Sequence, residues 1–255
     1  MLDPYKKPWP YQRVNTAHPL AHKLSNAWAM NEKCGFNIYD YGTNKAHGIW
    51  DIVGAYTPVW LKDGIVLAGT FSIGRRISVG AFSVPGDFTL VTRFKTTILE
   101  NNIIFCNYTG ANCLFFNIDN DGDLQLYTGT WLLGNNTYTV TDNIYHTVVA
   151  VRRGSTGYIY VDGKLDKSGA IGTGSVSSPG YIGWYQDPQY FFGTIQYFYR
   201  YDRALTINEI AQLHTNPYQM FEPVFNEVLF GYVAPVAGGL SIPIAYHHYR
   251  QLYGN

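Results

Sequence analysis

Apolar and polar residues alternate with a two-residue period along most of the chain, in short runs separated by Gly, Asn, Asp and Pro. The clearest runs are FTLVTRFK, IIFCNY, CLFFNID, DLQLYTG, HTVVAVRR, GYIYVDG, YIGWY and TIQYFYRY. Alternation of this kind predicts half-buried β-strands joined by tight turns. In the first run, one face of the predicted strand carries Phe88, Leu90, Thr92 and Phe94. We therefore predict an all-β fold, a two-sheet antiparallel jelly-roll sandwich with one short helix near the C-terminal end of the domain.

Local signals define two hairpins and the helix. Asp121-Gly122 and Asp162-Gly163 each separate two alternating runs and supply the positive φ angles that tight hairpins require. Thr206 and Glu209 have the spacing of a capping box, which predicts that the helix begins at Thr206. Because proline disfavours helical geometry in the residue before it, the helix is expected to end just before Pro217.

The two ends of the chain differ from its middle. Residues 1–16 are rich in Pro and aromatic residues without periodicity, so we interpret them as an extended N-terminal arm. The sandwich is expected to span 17–222. Residues 223–255 combine a Gly-rich stretch with an aromatic, basic segment that has too little apolar area to fold alone. This segment is interpreted as an anchoring tail, and the sequence leaves open whether it packs on its own subunit or on another.

Composition raises the question of partners. The chain has 22 Tyr, 14 Phe and 6 Trp, and only 14% of its residues are charged. Many aromatics with few charges are typical of an interface core, which favours burial against sister copies or another protein, although a large aromatic core is the alternative. Lys plus Arg equals Asp plus Glu at 18 each, so a nucleic-acid partner is not expected.

Neither a membrane span nor an export signal is expected. The longest apolar stretches have the length of a strand and are broken by Gly or Pro, and the N-terminal residues contain no apolar signal core. The cysteines are Cys34, Cys106 and Cys113, an odd number without CxxC spacing, which argues against a zinc site and a disulfide scaffold. Cys106 and Cys113 flank one predicted hairpin loop, where reduced thiols are favoured over a disulfide.

Three segments, in order, resemble the laminin-G-like, concanavalin A-like lectin/glucanase superfamily, of the kind found in phage virion proteins. They are AHPLAHKLSNAWAMNEKCGFNIYDYGTNKAHGIW, YHTVVAVRRGSTGYIYVDGKL and YIGWYQDPQYFFGTIQYFYRYDRALTINEIAQLH. The resemblance implies a lectin-like sandwich over 17–222. In the last strand Gln196 stands where the family commonly has Asp, which weakens the expectation of a family-type calcium site.

No catalytic motif is recognised, and the chain is not expected to be an enzyme. A retaining glycosidase needs two carboxylates about 5 Å apart, commonly on one strand face. The glutamates are scattered along the sequence at Glu32, Glu100, Glu209, Glu222 and Glu227. Polysaccharide cleavage is therefore the least favoured of the functions considered.

No cofactor is expected, and calcium is the one metal with any sequence signal. Asp119, Asp121 and Asp123 imitate the start of a calcium loop, but the later glycine and glutamate of that loop are absent. A solvated hairpin turn is the favoured interpretation of these three residues.

Exposed aromatic rings in loops offer a stacking surface for sugars. The candidates for carbohydrate binding in or near predicted loops are Trp131, Trp184, Tyr185 and Tyr190, and packing against the core or a neighbouring subunit is the alternative for each. Our first hypothesis is a non-enzymatic virion protein, such as a phage capsid decoration or head-fibre subunit on the particle surface, anchored to sister copies or to a capsid or tail protein through the arm and the tail. The alternative is an adhesin or tail module, extracellular or on a cell surface, that binds a glycan or receptor.

Overall fold

The computed structural model describes residues 5–10, 12–52, 57–67, 75–84, 86–99, 102–107, 113–185 and 189–222. Within them, a short 3-10 helix spans Pro19–Ala21 and one α-helix, α1, spans Ile207–Thr215. The strands are β1 (Leu24–Trp28), β2 (Asn37–Ile38), β3 (Gly48–Ile52), β4 (Val59–Leu61), β5 (Gly64–Leu67), β6 (Arg75–Val84), β7 (Phe88–Lys95), β8 (Asn102–Asn107), β9 (Leu114–Ile118), β10 (Leu124–Tyr127), β11 (Trp131–Leu132), β12 (His146–Arg153), β13 (Thr156–Val161), β14 (Lys164–Ala170), β15 (Val176–Ile182) and β16 (Gly193–Tyr201).

These strands form two antiparallel sheets. The first has the order β14-β13-β12-β7-β16-β5-β4, and β1 also pairs with β16. The second has the order β11-β10-β9-β8-β15-β6-β3-β2. Many neighbours in each sheet are distant in sequence, as expected where connections cross between two layers. The predicted two-sheet antiparallel sandwich with one short helix is confirmed.

Alternate residues of both sheets form the main core. In β7, Phe88, Leu90 and Phe94 point into this core, and Val91 belongs to a separate apolar cluster on the other face of the sheet. Rings from the two sheets meet directly in this core. Phe105 of the second sheet stacks on Phe198 of β16 in the first sheet, with ring centroids 5.2 Å apart. Each fully buried phenylalanine contributes about 2 kcal/mol through removal of apolar area from water.

Helix α1 covers part of the outward face of the first sheet. Its Ile210 and Leu213 are buried among the tyrosines of β16, in the apolar cluster that also contains Val91. The predicted capping box is confirmed, since Thr206 and Glu209 exchange side-chain and backbone hydrogen bonds at the N-terminus of the helix. Among the described residues, no helix is both long enough and apolar enough to cross a membrane.

The described part of the N-terminal arm packs on its own sandwich. The Lys7 ammonium donates hydrogen bonds to the backbone carbonyls of Ala29, Met30 and Gln196 at 2.6–2.7 Å. Burial lowers the pKa of Lys7 to about 7, and the nearby Glu32 carboxylate opposes that shift. Met1–Glu222 accordingly form one compact unit. The predicted anchoring tail, 223–255, lies outside the described residues.

Both predicted Asp-Gly turns connect adjacent strands. In the β13–β14 hairpin Asp162 and Gly163 have φ of 50° and 78°, as a two-residue hairpin loop requires. In the β9–β10 hairpin only Gly122 has a positive φ, 86°. Its backbone N–H donates to the Asp119 carbonyl, so this loop is a three-residue turn that ends in a left-handed glycine.

The Asp162 side chain joins the hairpin to β12. Its carboxylate accepts a hydrogen bond from the Thr147 backbone N–H at 2.9 Å and lies 2.7 Å from Nδ1 of His146. Nε2 of His146 lies 3.0 Å from Asp142. The hydrogen bond with Asp162, and then the one with Asp142, raise the pKa of His146 above its usual 6.5.

Replacement of His146 by glutamine is expected to remove a pH-dependent part of the stability. Because the pKa of His146 is raised in the folded state, its contribution is complete below the unfolded pKa of 6.5 and disappears as pH rises through the folded pKa. Urea unfolding should show wild type more stable than His146→Gln by about 1 kcal/mol near pH 5, and the difference should shrink towards about pH 9. His22→Gln, at an exposed position, is the control. A constant difference across this range would contradict the charge-based role.

Candidate functional site

A row of aromatic side chains crosses the outward face of the second sheet. In register, Cys106 of β8 lies opposite Phe115 of β9, Phe115 opposite Tyr127 of β10, and Tyr127 opposite Trp131 of β11. Side chains opposite one another on antiparallel strands are direct neighbours on one face. The residues that alternate with them on β9 and β10 point into the main core; they are Leu114, Phe116, Ile118, Leu124 and Leu126. Strand alternation therefore forces the aromatic residues outward.

The rings of this aromatic row (Phe115, Tyr127 and Trp131) contact one another. The centroids of Phe115 and Tyr127 are 6.0 Å apart, and those of Tyr127 and Trp131 are 4.8 Å apart. Tyr185, from the segment after β15, meets Phe115 edge-on at 4.6 Å and forms a side wall. Phe115 is 9% exposed and Trp131 is 39% exposed, so the row is buried at one end and open at the other.

Two amide side chains lie beside the aromatic row, about 7 Å further along the same strands. Asn117 of β9 and Gln125 of β10 are paired in register, and we call them the amide row. Asn117 is 6% exposed, and its Oδ1 is buried without a hydrogen-bond partner. Gln125 donates through Nε2 to the Asp119 carboxylate at 2.5 Å. Because buried polar atoms in proteins are nearly always paired, this unpaired acceptor is expected to lower the stability of the domain.

The two rows line one groove of about 640 Å³. Its remaining lining comes from Ile103, Cys113, Asp119, Asn120, Asp121, Tyr185 and Gln189. The volume lies within the range of about 300–1,000 Å³ typical of small-molecule sites, which combine aromatic walls with a few fixed polar groups. The arrangement can hold a ligand that has both an apolar face and hydroxyl groups.

The three aspartates of the predicted calcium-loop start serve mainly the turn. Asp119 accepts hydrogen bonds from the backbone N–H groups of Asp121 and Asp123 at 3.0 and 2.9 Å, and Asp123 accepts one from Asn136 at 2.6 Å. Across the described residues, no group of three or more His, Cys, Asp or Glu side chains is placed to hold a metal ion. Gln196, in the family's usual Asp position, is 7% exposed. The Asp119 and Asp123 carboxylates are thus engaged in hydrogen bonds within and beside the turn.

Two of the four predicted stacking residues line the groove, and two do not. Trp131 and Tyr185 are part of its lining. The Trp184 ring instead lies against the Arg76 guanidinium, whose Cζ is 4.0 Å from the centroid of the ring. Tyr190 is only 2% exposed and forms a β-bridge with Trp184. Little of the Tyr190 ring is therefore exposed for stacking on a sugar.

A family model described as Laminin_G_3, Concanavalin A-like lectin/glucanases superfamily, matches residues 71–211, more than half of the chain. The chain belongs to this superfamily. The predicted resemblance is thereby confirmed for the domain. A search of curated proteins finds no match.

Several solved structures share the superfamily fold. The binding domain of Paraclostridial Mosquitocidal Protein 1 has a TM-score of 0.62 and 17% identity, covering 78% of this chain and 53% of that one, so the present chain spans about half of its length. A second structure is domain 4 of AbnA, a GH43 extracellular arabinanase from Geobacillus stearothermophilus, in complex with arabinotriose. It has a TM-score of 0.59 and 18% identity, and the match covers 75% of this chain and 98% of that one. A mutant of Trypanosoma rangeli sialidase displaying trans-sialidase activity has a TM-score of 0.60 and 15% identity, and the match covers 84% of this chain and 37% of that one.

Most groove residues of this concanavalin A-like domain were not predicted from the sequence, because stacking residues were expected in loops. Phe115, Asn117, Gln125 and Tyr127 lie within strands. The signal was nevertheless present, since these residues alternate with the apolar core positions of the two runs CLFFNID and DLQLYTG.

Two neighbouring thiols pack beside Phe115, and one of them, Cys113, also lines the groove. Cys106 is fully buried and Cys113 is 5% exposed, and both are free in the structure. Burial raises the pKa of both thiols above the usual value. Since the thiolate is the reactive form, both cysteines act as small packing residues here.

Replacement of Asn117 by leucine is expected to increase the free energy of unfolding by about 1 kcal/mol, because it removes a buried acceptor without a partner. The matched control is Asn102→Leu on β8. Asn102 is also buried, but its side chain accepts from Phe192 N–H at 2.8 Å and donates to Thr96 at 2.9 Å. That variant should lose on the order of 2 kcal/mol in urea unfolding. Equal destabilisation by both variants would show that Asn117 is a structural group.

Proposed function

We propose that this domain is a non-catalytic carbohydrate-binding module whose groove holds a short oligosaccharide. The observation that carries the proposal is the aromatic row lying directly beside the amide row in one groove, with the Trp131 ring exposed at its open end. A sugar ring has an apolar face of C–H groups and a rim of hydroxyls. The apolar face can stack on an exposed aromatic ring such as that of Trp131. The hydroxyls can form hydrogen bonds with amide groups, which act both as donors and as acceptors.

Rigidity supports this function. The groove residues stand mainly on paired strands rather than on long loops, and neighbours in register hold their backbone positions. A site that is formed before the ligand arrives loses less conformational entropy on binding, which favours a weakly interacting ligand such as a sugar. At the buried end of the groove, the contact between Phe115 and Tyr185 fixes one wall. The more exposed Trp131 forms the open edge of the groove.

The similar structures are consistent with the proposal at the level of fold. This chain matches 98% of the length of domain 4 of the arabinanase, whose structure is in complex with arabinotriose. The matched part of the mosquitocidal protein is its binding domain. Both are under 25% identical to this chain, so they support a binding role by analogy only.

The non-catalytic part of the proposal rests on the carboxylates of the groove. Glycosidases place two carboxylates on opposite sides of the scissile bond. Here the lining carboxylates, Asp119 and Asp121, both come from the β9–β10 turn, and Asp119 is held there by hydrogen bonds from two backbone N–H groups and from Gln125. This placement suits an acceptor for sugar hydroxyls better than an acid/base pair.

The virion hypothesis remains a prediction. The described arm residues contact their own sandwich, through Lys7 among others, and the 223–255 tail lies outside the described residues. A glycan-binding domain is compatible with a capsid, a tail or a cell-surface placement.

Trp131→Ala is expected to weaken oligosaccharide binding by about tenfold or more, because it removes the exposed ring of the aromatic row. Affinity should be measured by calorimetry against a panel of arabino-, xylo-, cello- and galacto-oligosaccharides. Trp9→Ala is the matched control, since Trp9 is 59% exposed and lies outside the groove, and it should bind as wild type does. If wild type binds no member of the panel or of a broad glycan array, the proposal fails. Equal losses in both variants would place the site elsewhere.

A further inference from the structure

We infer that the groove selects uncharged glycans and excludes those that carry carboxylate or sulfate groups, an inference that rests on the proposed carbohydrate-binding function. The basis is the charge of the lining. Asp119 and Asp121 contribute carboxylates, and no Lys or Arg is among the residues that line the groove in the described part of the chain. An acidic sugar would therefore leave water for a groove whose lining carries two carboxylates and no cation.

Two segments outside the described residues are neighbours in sequence of the groove residues Cys113 and Tyr185. Residues 108–112 connect β8 to the residue before β9, and 186–188 follow Tyr185. Their sequences are YTGAN and QDP, which contain one further Asp and neither Lys nor Arg.

The cations of this region are already engaged. Arg76, on β6 of the same sheet, forms an ion pair with Asp51 at 2.7 Å and lies against the Trp184 ring. The Lys167 ammonium donates to the Leu124 carbonyl at 3.1 Å, interacts electrostatically with Asp119, and is 8% exposed as a side chain. Neither Arg76 nor Lys167 lines the groove, so neither can contact a bound anion directly.

The same carboxylates favour neutral sugars. Asp121 is exposed, and its backbone N–H rather than its side chain contacts Asp119. A carboxylate only accepts hydrogen bonds, and sugar hydroxyls donate them. The lining carboxylates can therefore accept hydrogen bonds from sugar hydroxyls, and they repel anions. At short range a charge pair near a protein surface changes an equilibrium by a factor of about ten or more.

The test is a glycan array that contains neutral and acidic members, read at physiological ionic strength with wild type and Asp121→Lys. Wild type should retain uncharged glycans and bind carboxylated or sulfated ones at least about tenfold more weakly. Asp121→Lys should increase the affinity for acidic glycans about tenfold relative to neutral ones, with the gain reduced in about 1 M salt. Glu222→Lys, an exposed residue outside the groove lining, makes the same change in net charge and should leave the preference unchanged.

The outcomes separate the two proposals. If wild type binds no glycan, the carbohydrate-binding function fails and this inference fails with it. If wild type binds acidic glycans as tightly as neutral ones in a Trp131-dependent manner, the binding function stands and the selectivity is overturned. The selectivity is equally overturned if Asp121→Lys and Glu222→Lys give the same shift, because the effect would then come from the overall charge rather than from the groove.

Discussion

The alternation of side chains along paired strands is the constraint on which both the core and the groove depend. In β9, Phe116 must point into the core for the sandwich to form, and this requirement turns Phe115 and Asn117 to the opposite face. A slip of one residue in register would exchange the two faces, so it would bury the amide and expose the core residue. The hydrophobic interaction that stabilises the fold therefore also fixes the position of every groove residue on these strands.

The two sheets use their outward faces differently. The first sheet buries its outward tyrosines under α1, Tyr218 and the segment that follows, so this face acts as a second core. The second sheet carries the groove with its aromatic row and its unpaired Asn117 acceptor. We propose the second sheet as the binding surface because its groove is open, whereas the outward face of the first sheet is covered.

The sequence predicted the fold well because its signals are local and repeated. Alternating runs, Asp-Gly turns and the Thr206–Glu209 capping box each specify short-range geometry, and all of them agree with one architecture. The site was predicted only in part. Trp131 and Tyr185 were identified as exposed aromatics, but their meeting with Phe115 depends on the register of strands and on a loop after β15. The burial of Tyr190 likewise follows from tertiary packing that no local pattern encodes.

We propose that the outward face of β8–β11 binds the ligand. Backbone amide NMR during titration with a neutral oligosaccharide provides a direct test. We expect the largest chemical-shift changes at Phe115, Asn117, Gln125, Tyr127 and Trp131, while the amides of α1 and of β16 stay unchanged. Saturable changes centred on the first sheet or on α1, with these strands unaffected, would contradict it.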